Sequence, residues 1–247
     1  MIEISDLSKR FGRKVAVDSL TLSIAPGEIF AILGPNGAGK TTTMKILSGL
    51  LRPSSGQALV GGFDVVKQSV KAKGLLAYIP DEPYLYDKLT GREFMYFVGD
   101  LYGMSREDIG RETERLVEAF ETGSYLDELA EGYSHGMKQR VVVSAALLHK
   151  PKALVIDEPT VGLDPRSARR MRSLLRELAE QNGSAIFMST HVLPVAEQLA
   201  DRIGIMDHGR MLACAPAAEV KDMAGTGSLE ETFLKITAES ESPGIPG

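Results

Sequence analysis

Residues 34–41 have the types and spacing of a loop that binds the phosphates of a nucleotide. They read Gly-Pro-Asn-Gly-Ala-Gly-Lys-Thr and match the pattern G-x-x-x-x-G-K-[ST] at every fixed position. Glycines let backbone N–H groups turn inward around phosphate, Lys40 supplies positive charge to the β and γ phosphates, and the Thr41 hydroxyl ligates magnesium. The alternative, a glycine-rich turn with no ligand, is disfavoured because the match follows an apolar strand. The sequence therefore predicts a nucleotide site.

Two adjacent carboxylates could complete this site. Asp157 and Glu158 directly follow the apolar run 153–156. Because magnesium needs hard oxygen ligands, Asp157 is predicted to hold the ion through water. Glu158 is then free to orient or deprotonate an attacking water. The alternative is a pair of surface acids that cap the following turn, and the phosphate pattern upstream weighs against it.

Two further side chains have ambiguous surroundings. His191 ends the sequence Ser-Thr-His after an apolar strand and could reach the γ phosphate, although a lone histidine is as often structural. Phe11 precedes a glycine and could stack on a base, although by itself it fits a core aromatic better. The residues alone leave both alternatives open.

The elements that must position these residues follow from the apolar pattern. Short strands are predicted at 1–5, 20–24, 28–33 and 57–61, separated by turns rich in Gly and Pro. The third strand leads through the glycine-rich loop into a helix over 40–50, the order that a phosphate loop needs. Strands at 153–157, 185–189 and 203–206 alternate with helices at 166–181 and 193–200. Parallel strands with crossover helices are therefore expected.

Helical spacing dominates the middle of the chain. It predicts one helix from 91, a second over 107–121 and a third over 136–149. We interpret residues 84–150 as a helical insertion carried by an α/β core, within one domain that spans 1–225. The remainder, 226–247, is predicted to hold a short helix at 229–236 and a disordered tail rich in Ser, Pro and Gly.

Composition excludes several classes of protein. The 247 residues are 43% hydrophobic and 25% charged, with a net charge of -5, which is typical of globular proteins. No apolar run is long enough to cross a bilayer, and neither a signal peptide nor a pair of cysteines is evident, so a cytoplasmic location is expected. The mild acidity argues against a nucleic-acid partner, and the basic run 166–176 fits the solvated face of an amphipathic helix.

The block at residues 133–164 is the most specific pattern in the chain. It holds Tyr-Ser-His-Gly-Met-Lys-Gln-Arg at 133–140 and Gly-Leu-Asp at 162–164, on either side of the two carboxylates. Together with the phosphate loop, it resembles the ATP-binding subunit of ABC transporters over residues 2–236. Residues 133–137, here called the signature segment, usually read Leu-Ser-Gly-Gly-Gln in that family. The resemblance implies an α/β P-loop NTPase core with a parallel sheet, an N-terminal antiparallel β subdomain and an inserted α-helical subdomain.

The resemblance also implies roles for individual residues. Ser134 and Gly136 of one subunit would contact the γ phosphate of ATP held by the other subunit, in a head-to-tail dimer. Asp164 lies in the loop that communicates across this dimer, His191 matches the switch histidine, and Phe11 takes the adenine-stacking place usually held by tyrosine. The phosphate loop that holds ATP comprises Gly34, Pro35, Asn36, Gly37, Ala38, Gly39, Lys40, Thr41 and Thr42.

One position departs from the family. Where a glutamine normally contacts magnesium and the attacking water, this chain has Asp81, which is shorter and charged but can still approach the metal. Glu82 could reach the metal and the water in place of Asp81, but this alternative is less favoured. With Tyr133 and His135 in the signature segment, the departures are similar to those of cassettes that serve ABC-2 type exporters. The sequence at 228–234 is similar to the ending of such subunits.

The function implied is an ATPase that closes as a dimer on ATP and opens on hydrolysis. The partner would be a second copy or a related ABC subunit, and an integral membrane permease at the inner face of the cell membrane would convert the cycle into movement of a substrate, with export favoured. Seven of the fifteen aromatics lie between residues 78 and 104. We expect Tyr84 and Tyr86 to grip a permease helix, and Phe94 and Phe97 to fill the core of the insertion.

Three rival functions remain. A soluble ABC ATPase that acts on nucleic acid or ribosomes usually has a long coiled-coil insertion or a second cassette, and this sequence shows neither. A P-loop kinase has no use for the block at 133–140. A low-turnover nucleotide-sensing subunit is compatible with Asp81.

Overall fold

The strands form two sheets in this computed structural model, which describes residues 1–223, 225 and 227–241. The strands are β1 (Ile2–Phe11), β2 (Lys14–Ile24), β3 (Ile29–Leu33), β4 (Ser55–Val60), β5 (Phe63–Asp64), β6 (Leu76–Ile79), β7 (Ala153–Asp157), β8 (Ala185–Ser189), β9 (Arg202–Asp207) and β10 (Arg210–Pro216). One sheet has the order β2-β1-β4-β5, and the other has the order β10-β9-β3-β8-β7-β6.

The four-stranded sheet is antiparallel. β1 pairs with both β2 and β4, so that Ile2 lies opposite Ile24 on one side and Val60 on the other. The strands predicted at 1–5 and 20–24 are the far ends of one longer hairpin, whose turn is at Gly12, a residue with φ of 57°. Phe11 therefore lies beside this turn rather than in the core.

The six-stranded sheet carries the nucleotide elements. β9, β3, β8, β7 and β6 are parallel, and β10 pairs antiparallel with β9. Every residue of β3, β7 and β8 is buried, as expected for parallel strands covered on both faces. Because these strands run the same way, their carboxyl ends meet at one edge of the sheet.

Side chains of β3 alternate between two hydrophobic cores. Ile29, Ala31 and Leu33 pack in the core beneath the helices of the middle region, while Phe30 and Ile32 face the four-stranded sheet. The ring of Phe30 stacks on that of Phe187 in β8, with 5.8 Å between centroids. The central strand is thereby fixed from both faces.

The helices connect these strands and cover the sheet. They are α1 (Lys40–Leu47), α2 (Ser69–Leu75), α3 (Gly91–Leu101), α4 (Arg106–Phe120), α5 (His135–Leu147), α6 (Pro165–Asn182), α7 (Leu193–Leu199), α8 (Ala217–Val220) and α9 (Leu229–Glu241). α3, α4 and α5 lie between β6 and β7 in the chain. Thr90 and Glu93 form a reciprocal capping box at the start of α3.

Several elements depart from the expectation. β6, β10, α2 and α8 were not predicted, because each is short or has a mixed pattern of polar and apolar residues. The predicted C-terminal helix is present as α9, and the predicted disordered tail from 242 onward lies outside the described residues. Among the described helices, none is long and apolar enough to cross a membrane.

Candidate functional site

The phosphate loop connects β3 to α1 at the carboxyl edge of the large sheet. Gly39 has φ of 111°, and a Cβ there would lie 2.4 Å from the carbonyl oxygen of Ala16. A Cβ on Gly34 would lie 2.2 Å from the carbonyl oxygen of Met206. Both positions therefore require glycine, because any side chain would collide with backbone. Gly34 and Gly39 thus let the loop pass between the segments that contain Ala16 and Met206.

Lys40 lies at the first position of α1 and is almost completely buried. Its Nζ donates to the carbonyl oxygens of Gly34, at 2.6 Å, and Pro35, at 3.1 Å. Burial lowers the pKa of Lys40, and the nearby carboxylates of Glu158 and Asp157 oppose that shift. A buried cation held by its own loop is well placed to exchange those carbonyls for phosphate oxygens.

Thr41 and Asp157 are brought together across the edge of the sheet. The Thr41 hydroxyl donates to Oδ2 of Asp157 at 2.9 Å, and the Ser189 hydroxyl donates to Oδ1 of the same carboxylate. Thr41 and Asp157 are the hydroxyl and carboxylate that the sequence assigns to magnesium, and hard oxygens of this kind suit that ion. Within the described residues, no group of three or more His, Cys, Asp or Glu could hold a metal.

Glu158 and His191 are in direct contact. Nδ1 of His191 lies 2.7 Å from Oε1 of Glu158, and the backbone N–H of His191 donates to Oε2 at 3.4 Å. Glu158 has φ of 51°, a conformation that side chains seldom adopt, and its N–H donates to the carbonyl oxygen of Ser189 at 3.2 Å. The strained backbone turns the Glu158 carboxylate toward the histidine. These two predicted catalytic residues therefore form one unit.

Phe11 lies at the mouth of the cleft beside the phosphate loop. The cleft is lined by Phe11, Lys14, Ala16 and residues 36–42. The ring is half exposed, with the ammonium of Lys9 4.9 Å from its centroid. An exposed ring beside the phosphate loop is available to stack on a base. The structure thus places Phe11 beside the phosphate loop, and its stacking on adenine stays a prediction.

The signature segment contains the buried side chain of Tyr133 and leads into α5. Tyr133 is buried, and its hydroxyl donates to the carbonyl oxygen of Tyr125 at 2.7 Å while accepting from the N–H of Gly91 at 3.1 Å. Ser134 is exposed and caps α5, since its Oγ accepts from the N–H of Met137 at 3.3 Å. In the described part of the chain, no hydrogen bond joins Ser134 or Gly136 to the phosphate loop. Tyr133 therefore fixes the start of α5 against the neighbouring backbone.

The signature segment packs instead on the loop that follows Glu158. This linking loop, residues 158–164, contains Gly162 with φ of 76°, where a Cβ would lie 2.8 Å from Cδ2 of His135. The side-chain N–H of Gln139 donates to the carbonyl oxygen of Pro159 at 3.3 Å. The loop ends at Asp164, which caps α6 by accepting from the N–H groups of Arg166 and Ser167, both at 3.0 Å. Glu158 and the signature segment are thus physically connected within one chain.

Asp81 lies off the end of β6, which neighbours β7 in the sheet. It is exposed, and no hydrogen bond or ion pair joins it to Asp157 among the residues described. The two carboxylates are nevertheless close enough to influence Tyr78: burial, then the charges of Asp157 and Asp81, raise the pKa of Tyr78 to about 12. The structure thus places Asp81 near the nucleotide site, without a described hydrogen bond or ion pair to Asp157.

The aromatic cluster of the middle region, Tyr84, Tyr86, Phe94 and Phe97, corrects one expectation. Tyr84 and Tyr86 are exposed, at 70% and 46%. Phe94 packs partly buried against the core, as expected, but Phe97 is 41% exposed, so its predicted place in the core is wrong. Its ring instead meets Tyr86 edge to face, with 5.9 Å between centroids. Helical spacing could not show this, because the loop at 80–90 supplies the neighbouring ring.

Sequence reasoning missed two side chains at the site. Ser189 bonds to Asp157, and the parallel register of β7 with β8 sets these two residues opposite one another. The polar run Ser-Thr-His after an apolar strand was a signal for this contact. Phe233 of α9 lines a second cleft with Gly34 and His191, and nothing in the local sequence indicated it.

Comparisons with known proteins agree with this geometry. The family model described as ABC transporter matches residues 17–161. The linearmycin resistance ATP-binding protein LnrL of Bacillus subtilis is 36% identical over 237 residues, which cover 96% of this chain and 75% of the relative. The daunorubicin/doxorubicin resistance ATP-binding protein DrrA of Streptomyces peucetius is 37% identical over 241 residues, covering 98% and 73%.

Solved structures share the fold. An ATP-binding subunit of an ABC transporter superposes with a TM-score of 0.90 at 31% identity, covering 96% of this chain and 99% of that one. A dimeric ATP-binding cassette in a post-hydrolysis state, bound to ADP and Pi, superposes with a TM-score of 0.80 at 23% identity, covering 88% and 99%. The second likeness concerns the fold alone. Both sheets and the order of elements are therefore those of ABC ATPase domains.

Proposed function

Because the chain belongs to the ABC transporter family of ATP-binding proteins, we propose that it hydrolyses ATP as a head-to-tail dimer and drives export through a separate membrane permease. The observation that carries the hydrolytic part is the contact of Glu158 with His191, at the edge where Asp157 meets Thr41. The names of the relatives LnrL and DrrA, both resistance ATP-binding proteins, support export.

The residues of one chain would bind ATP and prepare water for attack. Lys40 exchanges its loop carbonyls for phosphate oxygens, and Phe11 stacks on adenine. Glu158 accepts the proton of the attacking water, while His191 faces Glu158 with Nδ1 and would donate an N–H at Nε2 to a phosphate oxygen. Thr41 and Asp157 would hold magnesium together with phosphate oxygens, and Asp81 would approach it through water. When bound, that ion supplies positive charge to the phosphates.

The second copy would complete the site. Ser134 and Gly136 lie at the N-terminal end of α5, where backbone N–H groups and the helix dipole attract an anion. Among the described residues no hydrogen bond joins them to the phosphate loop of their own chain, and a γ phosphate held by another copy is the anion that they would bind. Asp164 would lie at the same junction because its loop packs on the signature segment.

The aromatic cluster is the surface that we assign to the permease. Its exposed rings, Tyr84 and Tyr86, meet edge to face with 5.6 Å between centroids, and Phe97 extends them. Exposed aromatics of this kind anchor a partner helix in a groove. Through the permease, the protein would lie at the inner face of the cell membrane.

The charge substitutions Tyr84→Asp and Tyr86→Asp should weaken binding to the purified permease in detergent, whereas Val70→Asp, at an exposed position of α2, should not. Unchanged binding in both aromatic variants would remove this surface.

The substitution Glu158→Gln tests the hydrolytic assignment. We expect ATP binding to persist and multiple turnover to fall by at least about a hundredfold, because the amide cannot accept the proton of water. Phosphate release measures turnover, and a fluorescent ATP analogue measures binding. Glu177→Gln, the same charge change on the exposed face of α6, is the control. Normal turnover in Glu158→Gln would contradict the assignment, and a wild-type protein that binds ATP without releasing phosphate would favour a nucleotide-sensing subunit.

A further inference from the structure

The C-terminal helix α9 reaches the nucleotide site. A cleft lies between the start of the phosphate loop, residues 33–36, and the segment that contains Thr190, His191 and Leu193. Phe233 of α9 forms another wall of this cleft. None of the roles assigned above involves α9, although its sequence places an aromatic side chain beside the switch histidine.

The rest of α9 fixes where Phe233 lies. Leu229 is buried, and Thr232 is fully buried with its hydroxyl donating to the carbonyl oxygen of Lys221 at 3.0 Å. These neighbours hold the first turn of the helix against the body of the protein. Phe233 itself packs against the main hydrophobic core and is only partly buried. Its ring is therefore a fixed wall rather than a mobile one.

The side chain of His191, by contrast, is largely exposed. The backbone N–H of His191 makes a long bond of 3.4 Å to Glu158, and the N–H of Val192 donates to the hydroxyl of Thr190 at 3.0 Å. The His191 side chain is 64% exposed and has its ring contact with Glu158 at 2.7 Å. An exposed ring keeps one rotamer only if neighbouring atoms exclude the others. Phe233 is the large apolar side chain of α9 that lines the same cleft.

We propose that Phe233 is a positioning residue of the hydrolytic site, which keeps His191 against Glu158 by limiting the space in the shared cleft into which the His191 side chain would otherwise turn. The proposal rests on the proposed function, because it assigns to Phe233 an effect on hydrolysis. It predicts an effect on turnover rather than on binding, since Phe11 and the phosphate loop hold the nucleotide elsewhere. Small displacements of a catalytic group are known to cost large factors in rate.

The test compares Phe233→Ala with Leu234→Ala, the neighbouring side chain, which is 58% exposed. We expect Phe233→Ala to lower kcat for ATP about tenfold with KM changed less than about twofold, and Leu234→Ala to change neither beyond about twofold. Phe233→Leu, which keeps apolar bulk, should recover kcat to within about threefold of wild type. Binding of a fluorescent ATP analogue shows that each variant is folded at its nucleotide site.

A double substitution separates positioning from general destabilisation. If Phe233 acts through His191, Phe233→Ala should cost no further activity in a His191→Ala background, because residues that act as one unit are not additive. Additive losses, an unchanged kcat in Phe233→Ala, or a loss expressed in KM would each overturn the inference. If the wild-type protein shows no turnover that Glu158→Gln removes, the proposed function fails instead, so the two failures are distinguishable.

Discussion

The sheet edge that carries Asp157 and Glu158 differs from the signature segment in where its polar atoms find partners. At the edge, Asp157 accepts from Thr41 and Ser189, and Glu158 meets His191, so that five side chains from three segments converge within one chain. In the signature segment, the Ser134 hydroxyl bonds within the described residues only to the turn that it caps, and Gly136 has no side chain. The first region is assembled from side chains of one chain, whereas the second is the one that we propose to meet a group held by another copy.

The difference indicates how one fold can make two sites depend on each other. The linking loop, residues 158–164, starts at Glu158 and packs on the signature segment through Gly162 and His135. If the signature segment shifts when it contacts nucleotide held by a partner copy, the shift would therefore reach Glu158 of its own chain. Packed elements transmit such shifts because protein interiors are not freely deformable.

The largest effect that sharpens this comparison is expected for Ser134→Ala. Loss of the cap should lower the free energy of unfolding by about 1 kcal/mol. Loss of a charge-assisted bond to the partner's phosphate should lower turnover by about 10 to 100-fold. Ser105→Ala removes an equivalent cap from α4, where Oγ accepts from the N–H of Asp108 at 3.1 Å. Denaturant titration should show similar losses in both variants, and phosphate release should fall only in Ser134→Ala. Equal turnover in the two variants would reduce Ser134 to a cap.

A smaller effect is expected for Gly162→Ala. Both Gly162 and Gly183 have positive φ, at 76° and 64°, so alanine at either should lower the free energy of unfolding by about 1 to 2 kcal/mol. A Cβ at Gly183 meets nothing within 4 Å, whereas one at Gly162 displaces the ring of His135. Turnover should therefore fall about tenfold in Gly162→Ala alone. If phosphate release is the same in both variants, the contact between His135 and Gly162 does not connect the two regions.

The smallest effect concerns the pH dependence of Asp164. The hydroxyl of Ser167, then the N–H groups of Ser167 and Arg166, hold the pKa of Asp164 below its ordinary value of 3.8. A carboxyl whose pKa is lower in the folded than in the unfolded chain contributes stability above the unfolded pKa and loses it as pH falls through the folded pKa. The stability difference between wild type and Asp164→Asn should therefore shrink between about pH 7 and about pH 3. Denaturant titration at both values measures it, and a difference independent of pH would contradict the role of the charge.

The sequence predicted the residues of the site better than their contacts. The pattern from β3 through the phosphate loop into α1 was predictable because spacing alone defines it. The contacts of Asp157 with Ser189 and of Glu158 with His191 depend on β7 lying beside β8, which no local pattern specifies. Phe97 was wrongly expected in the core because helical spacing does not reveal which neighbours cover a face. Phe233 could not be predicted, since α9 reaches the site only through tertiary packing.

Mixing two inactive variants tests most directly the claim that the site is completed by a second copy. Lys40→Ala disables the phosphate loop. Gly136→Asp places a negative charge against the partner's phosphate, and a carboxylate near the start of α5 is compatible with the helix dipole. In a mixed dimer, one site carries both defects and the other carries none, so mixing should restore up to about a quarter of wild-type turnover. Lys40→Ala mixed with Asp157→Asn leaves a defect in each site and should restore nothing. Recovery in the first mixture alone is the predicted result; no recovery in the first mixture would contradict the account.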